Sequence, residues 1–169
     1  MAMSWARAAY RSRQFFGALR TRLEDEERAE VAAHLTPAEQ RLFYAMDPRD
    51  QRHGLDVFRI LESGGHRDAS LLAAALLHDA GKGRIRVWHR VAFVLLRAAS
   101  PRLLRRLASG DGPGWRGALA RSLDHAERGA ALAEAAGSTA ETVRLIRLHR
   151  SAAGDDDALA LLQAADESS

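Results

Sequence analysis

Seven consecutive apolar residues, Leu71 to Leu77, run directly into His78 and Asp79. A histidine and an aspartate at the end of such a run are carried toward the interior. Neither is often buried without a partner. Partners for them have to come from elsewhere in the chain.

Where to look depends on the fold class. Ala and Leu dominate and β-branched residues are few, which favours helices over strands. No alternating apolar/polar run of strand type stands out. The expected fold is all-α, a single helical bundle, since 169 residues are enough to bury one core without staples. Thr36-Pro37 predicts a helix start, with a capping hydroxyl followed by Pro in the first turn. The spacing predicts helices over about 37–46 and 49–62, the second ended by Gly64-Gly65. Asp68 caps a helix expected to run to Asp79, with Gly81 and Gly83 breaking it. Further helices are expected over about 85–99, 101–108, 115–136, 139–150 and 156–167, with a loop at Gly110 to Gly114.

Residues 4 to about 33 read as one long or two short helices. The first part is basic and aromatic (Trp5, Arg7, Tyr10, Arg11, Arg13, Phe15, Phe16) and the second acidic (Glu24, Asp25, Glu26, Glu27, Glu30). Residues 1–35 are therefore taken as an N-terminal extension and 36–169 as the main domain. The extension is expected to pack Trp5, Phe15, Phe16 and Leu19 on the domain, with contact at a membrane surface as the sharper alternative.

Helical phase then picks out six residues. His53 is in phase with Val57 and Ile60, His78 with Leu71, Ala74 and Ala75, and Asp79 with Leu72 and Ala75. His125 is in phase with Gly129 and Leu132, His149 follows Leu145 and Ile146, and Asp166 is in phase with Leu159 and Leu162. One inward histidine is ordinarily a satisfied core residue. Six inward groups on five helices are different, because each would cost on the order of kilocalories per mole if unpaired. Converging on metal, they satisfy one another. Imidazole and carboxylate donors suit iron, manganese, zinc or similar divalent ions. The chain has no cysteine, so thiolate ligands and disulfides are excluded, as fits a reducing compartment. His34, His66 and His89 read as non-ligands: His66 falls in a turn, and His89 in a helix whose apolar face serves packing.

The run Leu71–Leu77 followed by His78-Asp79-Ala80-Gly81-Lys82 resembles the signature of the HD superfamily of metal-dependent phosphohydrolases. His53, 25 residues earlier, is similar to that family's first histidine, and Asp166 to its late aspartate; the likeness covers about residues 50–167. His125 in Asp124-His125-Ala126-Glu127-Arg128-Gly129 and His149 in Ile146-Arg147-Leu148-His149 resemble two further segments of the HD-GYP branch. The resemblance implies a metal set of His53, His78, Asp79, His125, His149 and Asp166 holding two divalent ions (Fe, Mn, Co, Ni or Mg). Asp79 would bridge them, with His53, His78 and Asp166 on one ion and His125 and His149 on the other. Two such ions are expected about 3.5–4 Å apart. In place of a GYP segment the chain has Arg150-Ser151-Ala152-Ala153-Gly154, so the likeness reaches the superfamily and the site rather than cyclic-dinucleotide cleavage.

The implied activity is metal-assisted hydrolysis of a phosphate ester, on a phosphorylated small molecule or nucleotide, with Asp79 and Lys82 as the catalytic pair. Lys82 is the only lysine beside 24 arginines and lies between Gly81 and Gly83, where the backbone is expected to be open. A compact ammonium there suits a phosphoryl oxygen, and Arg128 and Arg150 are candidates for further phosphate contacts. Two alternatives stay open: a diiron oxygenase, as in HD-type proteins resembling inositol oxygenase, and a regulatory domain without catalysis.

Net charge is +3, spread along the chain, so no nucleic-acid partner is expected. Neither the apolar run Leu71–Leu77 nor Val91–Leu96 is long enough to span a bilayer and no signal-type segment opens the chain, which leads to the expectation of a soluble, cytoplasmic protein. Residues 84–108 mix Val91, Phe93, Val94, Leu95, Leu96, Leu103, Leu104 and Leu107 with Arg84, Arg86, Arg90, Arg97, Arg102, Arg105 and Arg106. This segment is read as packing against the core, with a lid over the site or a homodimer interface as alternatives.

Overall fold

The computed structural model describes residues 22–83, 87–108 and 114–169. The basic, aromatic start with Trp5, Phe15, Phe16 and Leu19, together with Arg84, Arg86 and most of the expected Gly110–Gly114 loop, lies outside the described residues. Among the described residues there are nine α-helices and no strand: α1 (Asp25–His34), α2 (Pro37–Ala45), α3 (Pro48–Ser63), α4 (Ala69–Leu77), α5 (Val87–Ala99), α6 (Pro101–Leu107), α7 (Trp115–Ala135), α8 (Ala140–Leu148) and α9 (Asp157–Ser168). A single 3-10 turn, Ala80–Lys82, follows α4. Among the described residues no helix is long and apolar enough to cross a membrane.

The caps stand where local chemistry puts them. Thr36 accepts from the Glu39 amide while Glu39 reaches back to the Thr36 amide, a reciprocal box with Pro37 in the first turn. Asp68 accepts from the Leu71 amide at 2.8 Å. Gly65 turns the chain out of α3 at φ 87°.

Helix α4 is the axis of the bundle. Leu71 to Leu77 are all buried, and α1, α2, α3, α8 and α9 pack around them. Phe43, Phe58, Leu55, Ile146, Leu159 and Leu162 close the core around the axis. Each such side chain contributes about 1.5–3 kcal/mol when taken from water. Val31 of α1, within the segment read from sequence as an extension, belongs to this same core. Glu27 and Glu30 of α1 also pair with Arg52 and Arg59 of α3.

Two helices end two residues earlier than expected: α8 at Leu148, with His149 as its cap, and α4. Helix α4 ends at Leu77 with His78 as its cap, and Asp79 stands outside the helix, at φ −97° and ψ 3°, as the entry to the 3-10 turn. The cause is tertiary, because this turn is pressed against α7. Helices α5 and α6 pack chiefly on each other and on α7, at the edge of the bundle.

Candidate metal centre

Three glycines let the ligand-bearing segments approach. A Cβ on Gly54, next to His53, would lie 2.8 Å from the Leu76 carbonyl oxygen, so α3 and α4 touch backbone to backbone. A Cβ on Gly81 would lie 2.0 Å from the His125 carbonyl oxygen and 2.5 Å from the Gly129 amide nitrogen. A Cβ on Gly129 would in turn meet the Gly81 amide nitrogen at 3.2 Å. The backbone at Lys82 is thus open only on the Gly83 side, where a Cβ meets nothing within 4 Å, and it is closed at Gly81. The sequence reading saw Gly81 as a helix breaker and missed that it is a contact surface. Only the partner backbone reveals that.

With the elements this close, the six residues marked by phase come together. His53, His78 and Asp166 form one group and Asp79, His125 and His149 another, with the ligand atoms of each group within 4.8 Å of one another. The imidazoles run as a chain, with centroids 5.2 Å apart from His53 to His78, 5.3 Å from His78 to His149 and 5.1 Å from His149 to His125. Asp79 stands between the groups: Oδ2 lies 3.7 Å from His78 Nε2 and Oδ1 3.6 Å from His125 Nε2. His78 and Asp79 are 1% and 2% exposed, whereas His53 and Asp166 are 30% and 36% exposed and form the mouth. His34, His66 and His89 belong to neither group.

Hydrogen bonds decide which ring nitrogens face the centre. Nδ1–H donates to the carbonyl three residues back in His78 (Ala75, 2.9 Å), His125 (Ser122, 2.9 Å) and His149 (Ile146, 2.7 Å). A carbonyl only accepts, so Nδ1 carries the proton and Nε2 of a neutral ring presents a lone pair. Bonds of this kind orient metal-ligating histidines. His78 Nε2 is buried with no hydrogen-bond partner. His125 Nε2 and His149 Nε2 face each other at 3.2 Å. Burial holds both of these rings down to about 4, so they are neutral at pH 7. Two lone pairs so close repel unless a cation lies between them. The donor set fits a divalent metal.

The carboxylates are held ionised. Burial alone would raise Asp79, but His78, Lys82 and His125 outweigh it and keep the group far below the usual carboxylate range. Asp166 behaves likewise, with the hydrogen bond from His53 and the nearby His78 ring, 3.6 Å away, overcoming burial. Burial alone would lower His78, but Asp79 and Asp166 raise it. Lys82 Nζ donates to Asp79 Oδ2, which brings the lysine to the centre. Arg150 follows His149. Partial burial and the charge of Arg97 lower it, while Asp79 and Asp166 act in the other direction. Arg97 is thus a cation near the mouth that sequence reading had grouped only with the α5 segment. Arg128 lies half-buried on α7, three residues past His125.

The two groups differ in acid sensitivity. Metal ligands must be deprotonated. As pH falls from 7, His78 takes a proton first because its pKa is raised, whereas His125 and His149 resist until about pH 4. Titration of the metal-free protein, followed by histidine resonances in NMR, is expected to protonate His78 before His125 and His149. Protonation of His125 or His149 before His78 would contradict this.

Comparison of the chain with family models, with curated proteins and with solved structures found no match.

Proposed function

We propose that this chain is a metal-dependent phosphohydrolase of the HD-superfamily type, acting on a phosphorylated small molecule or nucleotide. The observation that carries the reading is Asp79, buried between two histidine-bearing groups with one oxygen turned to each. Such an arrangement suits a carboxylate shared by two cations. His53, His78 and Asp166 would hold one ion and His125 and His149 the other, with Asp79 common to both.

Bound divalent ions supply acidified water at neutral pH and Lewis acidity for a phosphoryl oxygen. The chain's own groups do the rest. Asp79, kept ionised, holds the attacking water by accepting a hydrogen bond. Lys82, anchored on Asp79 and a quarter exposed, turns its ammonium to the substrate oxygens. Arg150 and Arg97 add positive charge at the mouth, which favours an anionic ester. The exposed edges of His53 and Asp166 leave a way in.

The test begins with metal analysis of anaerobically purified protein, then a phosphatase and phosphodiesterase panel with Mn, Fe, Co, Ni and Mg. Phosphate release that depends on metal supports the reading, and oxygen uptake without phosphate release would point to diiron oxygenase chemistry. On a substrate so found, Lys82→Ala is expected to keep its metal and lose roughly 10- to 150-fold in kcat/KM, the worth of a charged hydrogen bond of about 1.5–3 kcal/mol. Lys82→Arg is expected to recover only part, since a planar fork does not replace a compact ammonium. Unchanged kcat/KM in Lys82→Ala would return this lysine to a surface role.

A further inference from the structure

Helix α5 is apolar on two sides. His89 is buried, and Phe93 and Leu96 are half-buried, on the side toward the bundle. On the other side Trp88, Val91 and Leu95 share one stripe at i, i+3 and i+7, with Val94 beside them. These four are 53%, 52%, 63% and 62% exposed. Leu103 of α6 extends the patch, while its neighbour Leu104 is buried. Packing against α7 therefore accounts for only the inner half of this segment's apolar residues. Beside it α6 carries Arg102, Arg105 and Arg106, all exposed. The chain holds 22 acidic residues, yet none falls between Asp79 and Asp111. The segment itself is thus at once apolar and, among its charged residues, purely basic.

We propose that the outward face of α5, with α6 beside it, docks on the surface of an anionic lipid bilayer. Trp88, Val91, Val94 and Leu95 would enter the headgroup–acyl boundary, and the arginines would meet lipid phosphates. Tryptophan, with an apolar ring and one N–H donor, is suited to that boundary. The 13 residues of α5 fit lying in the surface, since spanning takes about 20. Charge is what favours lipid over the other covers. A second copy related by two-fold symmetry would set the same patch against itself, arginine facing arginine with no local acid to pair. Residues 1–22 carry five arginines and no acid, so they too would bring like charge to this face.

The test is flotation of the full-length protein with vesicles of phosphatidylcholine alone and of phosphatidylcholine mixed with phosphatidylglycerol. Wild type is expected to float with the mixed vesicles only, with a blue shift of tryptophan emission. Each basic residue near an anionic surface gives about a five-fold gain in partitioning, so Arg102→Gln/Arg105→Gln/Arg106→Gln should lose roughly 100-fold. Val91→Glu/Leu95→Glu should lose at least ~10-fold, since two charges replace apolar side chains in the boundary. Cooperative melting serves as the check on folding. If the glutamate variant fails it, the arginine variant, altered only at exposed positions, decides. No flotation of wild type overturns the proposal. So does flotation that neither variant weakens, which would move the binding to residues 1–22. A dimer that Val91→Glu/Leu95→Glu dissociates, without vesicle binding, overturns it in favour of self-association.

Discussion

Loading chelator-stripped protein with Mn²⁺ or Fe²⁺ is expected to raise its melting temperature by about 8–16 °C. Free metal at ~1,000 times Kd stabilises the folded state by about 4 kcal/mol, and a chain of this size gains about 2–4 °C per kcal/mol. The physical source is the centre itself. His78 Nε2 has no hydrogen-bond partner, and His125 and His149 turn lone pairs on each other. Metal relieves both, and an unfolded chain has no preformed site. In Asp79→Ala most of the shift should vanish, because the carboxylate standing between both groups is gone. Ion content by elemental analysis should be two per chain in wild type and one in His125→Ala, which leaves the His53–His78–Asp166 group intact. Equal metal-induced shifts in wild type and Asp79→Ala would show that Asp79 is not a ligand. One ion in both wild type and His125→Ala would reduce the centre to a mononuclear one.

Gly81→Ala, a single methyl group, is expected to cost about 3 kcal/mol or more and to lower the melting temperature by about 6–12 °C. The new Cβ would fall 2.0 Å from the His125 carbonyl oxygen and 2.5 Å from the Gly129 amide. Both are backbone atoms, so no flexible side chain can yield, and α7 or the turn has to move. Either movement separates Asp79 from His125, and metal affinity should drop along with stability. Gly114→Ala is the control. Nothing lies within 4 Å of its Cβ and its φ is −71°, so only the change of N-cap, worth about 1 kcal/mol or less, should lower its melting. Wild-type melting of Gly81→Ala would mean that the turn and α7 are not in contact.

The helices were legible in the sequence because their signals are local. Thr36-Pro37 with Glu39, Asp68 before Leu71 and the glycine pair after Ser63 act within a few residues, and the helix limits follow them closely. Phase within each helix likewise marks six histidines and aspartates as inward, and these are the side chains that meet. Phase is a property of one helix at a time. It carries no distance between helices, so the division into two groups and the station of Asp79 between them lay beyond it. Those follow from backbone contacts at Gly54, Gly81 and Gly129, where the absent Cβ matters only once the partner strand of backbone is in place. The same limit explains α4: seven apolar residues predicted a helix through Asp79, but the press of α7 ended it at Leu77 and turned Asp79 out of the helical path. It explains α5 as well. Its apolar residues could all be read as core, and only the position of the helix at the edge of the bundle left Trp88, Val91, Val94 and Leu95 facing outward. Local sequence chooses the elements and the side each one turns inward. The close approach of backbones across the bundle chooses which side chains share a site, because that choice depends on atoms far apart in the chain.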